Sequence, residues 1–258
     1  MYTKSNIRST PKPSEIKKLL VDQDILCYRA AAVAWDQPEN AIALTQETLT
    51  SIKQEFGISD VMLFLSGNKN FRKTIYPEYK LNRQKLERPP CLEEVKQYFI
   101  DNLLAEPIVE HLEADDLLGL NQTEDSCIVS IDKDLDLIPG WHYNHVKQVL
   151  YYVNEWEAIY NFYYQLLVGD PADNIKGAKG IGKAKAVKIL DDCDTEEELF
   201  NAVYPYFTCY DELDMTAKVL WIQRKDRENW DDTGIGKEQR QNLAENCEGS
   251  DTEDIPWS

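Results

Sequence analysis

The order of apolar and helical segments predicts an α/β fold with a mainly parallel central sheet flanked by helices. Three observations carry that prediction. Short apolar runs such as LLV and CIVSI read as buried strands. Stretches of helical periodicity separate them. Acidic residues stand where the strands should end, and ligands bind at the carboxyl ends of strands in such sheets.

Residues 1–17 are polar, carry Pro11 and Pro13, and read as a loose arm. KKLLVDQDIL is the first strand, closing on Asp22. CYRAAAVAW then forms a helix, and a second helix covers about 41–56. VMLFLSG is the second strand. CLEEVKQYFIDNLL is helical, with Leu92, Val95, Phe99 and Leu103 on one face. CIVSI and VKQVLYYV are the third and fourth strands. EWEAIYNFYYQLLVG is a long aromatic helix. In GDPADNIKGAKGIGKAKAVKIL, Gly177, Gly180 and Gly182 make a tight turn before a lysine-bearing helix. From about Asp226 the chain is polar and acidic, which reads as a weakly held or disordered tail. The organisation is therefore an arm (1–17), an α/β core (18–153), a helical region (154–225) and a tail (226–258).

A chain of 258 residues with 43% hydrophobic content can bury one sizeable core. It contains no run of about 18 apolar residues, which argues against a membrane span. Lys4, Arg8 and Lys12 lack a following apolar stretch, so the start is not read as a signal peptide. The six cysteines are scattered, which suits free thiols in a reducing, cytoplasmic compartment. The net charge of −18 argues at first against a nucleic-acid partner. Its distribution reverses the argument. Lys69, Arg72, Lys73, Lys80, Arg83, Lys85 and Arg88 face only Glu78 and Glu87, and five lysines lie between Lys176 and Lys188 with no acid. Local patches, not net charge, meet phosphates.

Four acidic clusters carry the chemistry: Asp22; Glu113, Asp115 and Asp116; Asp132 and Asp134; Asp170 and Asp173. Gathered in one cleft, such carboxylates repel unless cations intervene. An all-oxygen set suits Mg²⁺ or Mn²⁺ rather than zinc. Each cluster also has an ordinary reading. EADD fits an acid-rich helix N-terminus, with Glu113 and Asp116 sharing a face. SIDKD fits an Asp-rich turn, and Asp173 fits a helix cap. The glycine turn presents backbone N–H groups to phosphate, with Lys183 and Lys185 adding charge. No P-loop pattern is present. FRKTIYPEYKLNR joins cations to Phe71, Tyr76 and Tyr79, which suits stacking on a DNA strand or a charged excursion over the core. His111, His142 and His145 show no ligand spacing and read as structural.

In this order and spacing the motifs resemble the 5′-nuclease family: flap endonucleases, the 5′-nuclease domains of bacterial DNA polymerases and, above all, stand-alone bacteriophage 5′→3′ exonucleases. The resemblance runs from about Lys18 to Leu190. It implies a PIN-like core, a helical arch over about 70–104 and a helix–three-turn–helix (a helix-hairpin-helix relative) over about 168–190. It implies two Mg²⁺ or Mn²⁺ ions. Asp22, Glu113, Asp115 and Asp116 would hold the first, and Asp132, Asp134, Asp170 and Asp173 the second. Lys80 and Arg83 would engage the scissile phosphate, with Asp22 and Asp134 also in the catalytic set. Arg72, Lys73, Tyr79, Lys80 and Arg83 would meet DNA, as would Gly177, Gly180, Gly182, Lys183 and Lys185, with K⁺ a candidate at the turn. The implied activity is 5′→3′ exonuclease or flap endonuclease, acting on DNA or on RNA primers in RNA–DNA hybrids. It implies a monomer in phage replication or recombination, in the host cytoplasm, with the acidic tail open to a replication partner. One departure stands out. The family has an aspartate at the end of the second strand, and here the segment reads Ser66, Gly67 and Asn68. Ser66 or Asn68 holding a metal-bound water, or Asp24, are the available stand-ins. Two other readings remain: a catalytically weakened nucleic-acid-binding relative, and a haloacid-dehalogenase-like phosphatase whose nucleophile strand VDQDIL mimics.

Overall fold

Leu19, Leu20 and Val21 are fully buried, and their alternation sets the architecture. They lie on β1 (Lys18–Asp22), the centre of a five-stranded sheet of order β2-β1-β3-β4-β5. β2 (Val61–Phe64), β3 (Ser126–Val129) and β4 (Gly140–Asn144) continue it in parallel, and β5 (Val149–Val153) closes the edge antiparallel to β4. The computed structural model describes residues 2–6, 10–102 and 104–239. Leu103 and residues 240–258, part of the expected tail, lie outside the described residues.

Successive side chains of a strand point to opposite faces. Leu19 and Val21 therefore pack on one side with α1 (Gln23–Ala34), α2 (Pro38–Phe56) and α4 (Leu92–Asp101), through Leu26, Ile52 and Val95. Leu20 packs on the other side with Phe64 and Ile128 against α5 (Ala114–Asn121) and α6 (Glu155–Val168). Leu92, Val95 and Phe99 are buried as the α4 periodicity predicts. The sheet is covered on both faces, as parallel sheets are.

Beyond α6, the two-residue strands β6 (Gly169–Asp170) and β7 (Ile175–Lys176) form a hairpin. α7 (Lys183–Leu190), α8 (Glu196–Val203) and α9 (Tyr210–Leu220) then pack on α6. Among the described residues, no helix is long and apolar enough to cross a membrane.

Three sequence expectations need correction. β4 is a strand the sequence reading does not include, because the Trp, His and Tyr of Gly140 to Asn144 do not form an aliphatic run. Residues 70–104, the span of the expected helical arch, form a short α3 (Arg72–Ile75), a 3₁₀ turn (Leu81–Lys85) and α4. Pro77, Pro89 and Pro90 interrupt helical hydrogen bonding there. The arm is not loose at residues 2–6. Thr3 bridges Thr195, Glu196 N–H donates to Tyr2 O at 2.9 Å, and Lys4 N–H donates to Asp194 O at 2.9 Å. The acidic segment is packed at its start, since Trp230 is fully buried among Phe162, Phe200 and Tyr210. The buried Glu196 carboxylate joins both ends of the described chain. Burial raises its pKa, while backbone N–H groups of Tyr2 and Ile235 oppose the rise.

Candidate metal and phosphate cleft

The carboxyl ends of β1 and β3, the N-terminus of α5 and the β6–β7 hairpin open onto one cleft of about 1020 Å³. Asp22, Glu113, Asp115, Asp132, Asp134, Asp170 and Asp173 all line it, together with Lys73, Lys80 and Arg83. The sequence separates these acids by up to 151 positions, and the fold brings seven of the eight predicted carboxylates together.

Asp22 closes β1 and caps α1, accepting the Ile25 N–H at 3.1 Å and the Ser130 hydroxyl at 2.9 Å. Burial, then the charges of Asp24 and Asp132, push its pKa up to about 7. Asp115 is pushed up in the same way by burial, then by Asp22, Asp132 and Glu113. Burial and Asp134 raise Asp132. Burial, Asp134 and Asp173 raise Asp170. Asp132 also accepts the Asp134 N–H at 2.9 Å, and Gln165 donates to Asp134 at 2.6 Å. The ordinary turn geometry of SIDKD is thus real, and the same turn faces the cleft.

Glu113 behaves oppositely. Burial alone would raise its pKa, but Lys80 and Arg72 outweigh burial and hold it at about 2. Lys80 Nζ lies 2.5 Å from Glu113 and 3.4 Å from Asp173, and Arg83 pairs with Asp173. The Tyr79 hydroxyl donates to Glu113 at 2.6 Å and lies 2.9 Å from Asp173. Two acidic clusters are therefore bridged by one phenol and one ammonium. Asp173 sits in the turn between β6 and β7, not at a helix cap.

Three expectations for side chains change. Asp116 is fully buried and forms a two-pronged ion pair with Arg72, at 2.6 and 2.7 Å. Arg72 also donates to Val219 O at 2.9 Å and Trp221 O at 2.7 Å, and its Nη1 lies 3.5 Å from Glu113. Neither is free for a metal or for DNA. Asp116 also accepts the Glu113 N–H at 3.2 Å, completing a capping box on α5. Tyr79 is 4% exposed, so its ring offers no stacking face. Ser130 and Gln165, which orient Asp22 and Asp134, were not anticipated. Ser130 could have been suspected from its place two residues before Asp132, whereas Gln165 gives no local signal.

Among the described residues, no three Asp, Glu, His or Cys side chains already converge as a finished metal site. The donor chemistry nevertheless fits a hard cation. The acids are all oxygen donors, and several are driven toward the neutral form by burial and by one another, a strain that bound positive charge relieves.

The glycine turn lies outside this cleft. Gly177 packs so closely on Gly169 that a Cβ would strike its backbone, and Gly180 adopts φ +76°. Gly182 caps α7, and Lys183 and Lys185 project from the first turn into solvent.

Residues 17–161 match the family model described as 5′-3′ exonuclease, N-terminal resolvase-like domain. DNA polymerase I of Caldicellulosiruptor bescii is 30% identical over 217 residues, covering 72% of this chain and 25% of that protein. The 5′-3′ exonuclease of Mycoplasma genitalium is 28% identical over 222 residues, covering 71% of this chain and 75% of that protein. The chain thus spans about a quarter of the polymerase and three quarters of the exonuclease. In fold, it is similar to the T5 D15 protein co-crystallised with metal ions (TM-score 0.60, 17% identity, 81% of this chain and 89% of that one). It is also similar to flap endonuclease-1 from Methanococcus jannaschii (TM-score 0.54, 13% identity, 94% and 91%). With the family model covering more than half of its length, the chain belongs to the 5′-3′ exonuclease family.

Proposed function

We propose that the chain is a divalent-metal-dependent 5′-nuclease that hydrolyses phosphodiesters in DNA carrying a 5′ end or flap. The carrying observation is the convergence of seven carboxylates with Lys80 and Arg83 in one cleft at the carboxyl ends of the strands. Asp22, Glu113 and Asp115 would hold a first Mg²⁺ or Mn²⁺, and Asp132, Asp134, Asp170 and Asp173 a second. Such ions activate water and neutralise charge on the transferring phosphate.

The chain's own residues do the rest. Ser130 and Gln165 orient Asp22 and Asp134 through hydrogen bonds. Lys80 and Arg83 present cations to the phosphate and stabilise the charge that builds on it. Lys80 pairs with Glu113 and Arg83 with Asp173, which sets both cations at the edge of the acidic group. Exposed Lys183 and Lys185 and the glycine turn grip duplex backbone, which carries little sequence information. K⁺ at that turn, RNA–DNA hybrids as substrates, a monomeric state and a role in phage replication belong to the same reading.

The test uses 5′-labelled flap and nicked duplexes with Mg²⁺ or with chelator. Cleavage should require the metal, and Asp134→Ala should lose cleavage while retaining DNA binding. Wild-type binding without cleavage would sink the nuclease reading in favour of a catalytically weakened relative.

A further inference from the structure

β1 and β3 each deliver an acid to the cleft from their own carboxyl ends. β2 delivers none, because Ser66, Gly67 and Asn68 follow it. The local packing explains why an acid is not simply placed there. The Ser66 hydroxyl is committed to α5, accepting the Ala114 N–H at 2.9 Å. Gly67 lies against the backbone of Val109 and Glu110, where any Cβ would collide with their carbonyl groups.

A carboxylate nonetheless stands at that strand end. Asp24, in the first turn of α1, reaches across from β1, and its Oδ2 accepts the Ser66 N–H at 2.9 Å. Its side chain is 22% exposed and lines the cleft, and its Oδ1 lies 2.5 Å from Lys96 Nζ on α4. The register Asp22↔Phe64 sets the ends of β1 and β2 side by side, so a residue two beyond Asp22 can span the gap.

We propose that Asp24 supplies the carboxylate that β2 lacks and completes the first cation group with Asp22, Glu113 and Asp115. Lys96 is its counter-ion and holds the carboxylate in place until a cation is bound. This rests on reading the cleft as a divalent-metal site.

Direct Mn²⁺ binding to the full chain, followed by calorimetry or by the electron paramagnetic resonance of free Mn²⁺, tests it. Asp24→Asn keeps an acceptor for the Ser66 N–H and removes only the charge. It should weaken Mn²⁺ binding on the order of 10–100-fold, the range seen when a supporting group of a metal site is lost. Asp24→Glu should recover part of that loss. The double variant Asp24→Asn with Lys96→Gln should stay weak. If the double variant recovers wild-type affinity, the loss came from an unpaired lysine and the proposal is overturned. Wild-type affinity in Asp24→Asn overturns it as well, leaving the metal reading intact. Absence of Mn²⁺ binding by the wild-type chain overturns both.

Discussion

An ion pair as dry as Arg72–Asp116 contributes little net stability when intact, yet breaking it strands a buried charge. Arg72→Met should therefore destabilise the protein by about 3–5 kcal/mol, measured by denaturant unfolding. Lysine would rescue it poorly, since one ammonium cannot replace the fork that meets Asp116, Val219 O and Trp221 O. Asp22 makes the opposite kind of contribution. Its folded pKa of about 7 lies above the ordinary 3.8, so between those values the folded state holds more protons than the unfolded state. Stability from this group is full below about pH 4 and is lost as pH rises through 7. In chelator at pH 8, Asp22→Asn should be more stable than wild type by on the order of 1–3 kcal/mol. The gain should vanish near pH 4, as thermal unfolding across pH can show. At this scale the sequence revealed which acids matter wherever a strand end preceded them. It could not separate Asp116 from Asp115. Their difference is made by Arg72 and the end of α9, which lie more than 40 and 100 residues away respectively.

Among elements, the turn before α7 and the 70–88 segment divide the work of holding phosphate. If exposed Lys183 and Lys185 each neutralise one phosphate, Lys183→Ala with Lys185→Ala should weaken DNA binding regardless of sequence. The slope of log affinity against log salt should shrink by about 2. Catalysis at saturating DNA should change little, because neither lysine lines the cleft. Elements with a strong local pattern were legible: β1, β3, α2 and α6 stand where their apolar periodicity puts them. β4 was not, because its residues are buried by β3 and β5 rather than by their own hydropathy.

For the whole molecule, the weakest inference from composition concerned the C-terminal region. Acidity from Asp226 onward suggested a tail, but Trp230 is buried against α6, α8 and α9. Trp230→Ala should cost about 3–5 kcal/mol by thermal or denaturant unfolding, as large aromatic deletions in cores do. A residue fully exposed in solution would give almost no change. Charge density masked this anchor because one large indole outweighs several solvated carboxylates. The N-terminal contact beside α8 was equally invisible, since its backbone hydrogen bonds are ones that any residues can make. The meeting of Tyr2 and Ile235 at Glu196 has a topological consequence. Between these two points the chain is a nearly closed ring, with its order in space fixed by contacts rather than by where synthesis starts. A short linker joining those points would allow the ring to be opened elsewhere, for instance at the exposed Val146 tip between β4 and β5, giving a circular permutant that keeps every carboxylate of the cleft in place.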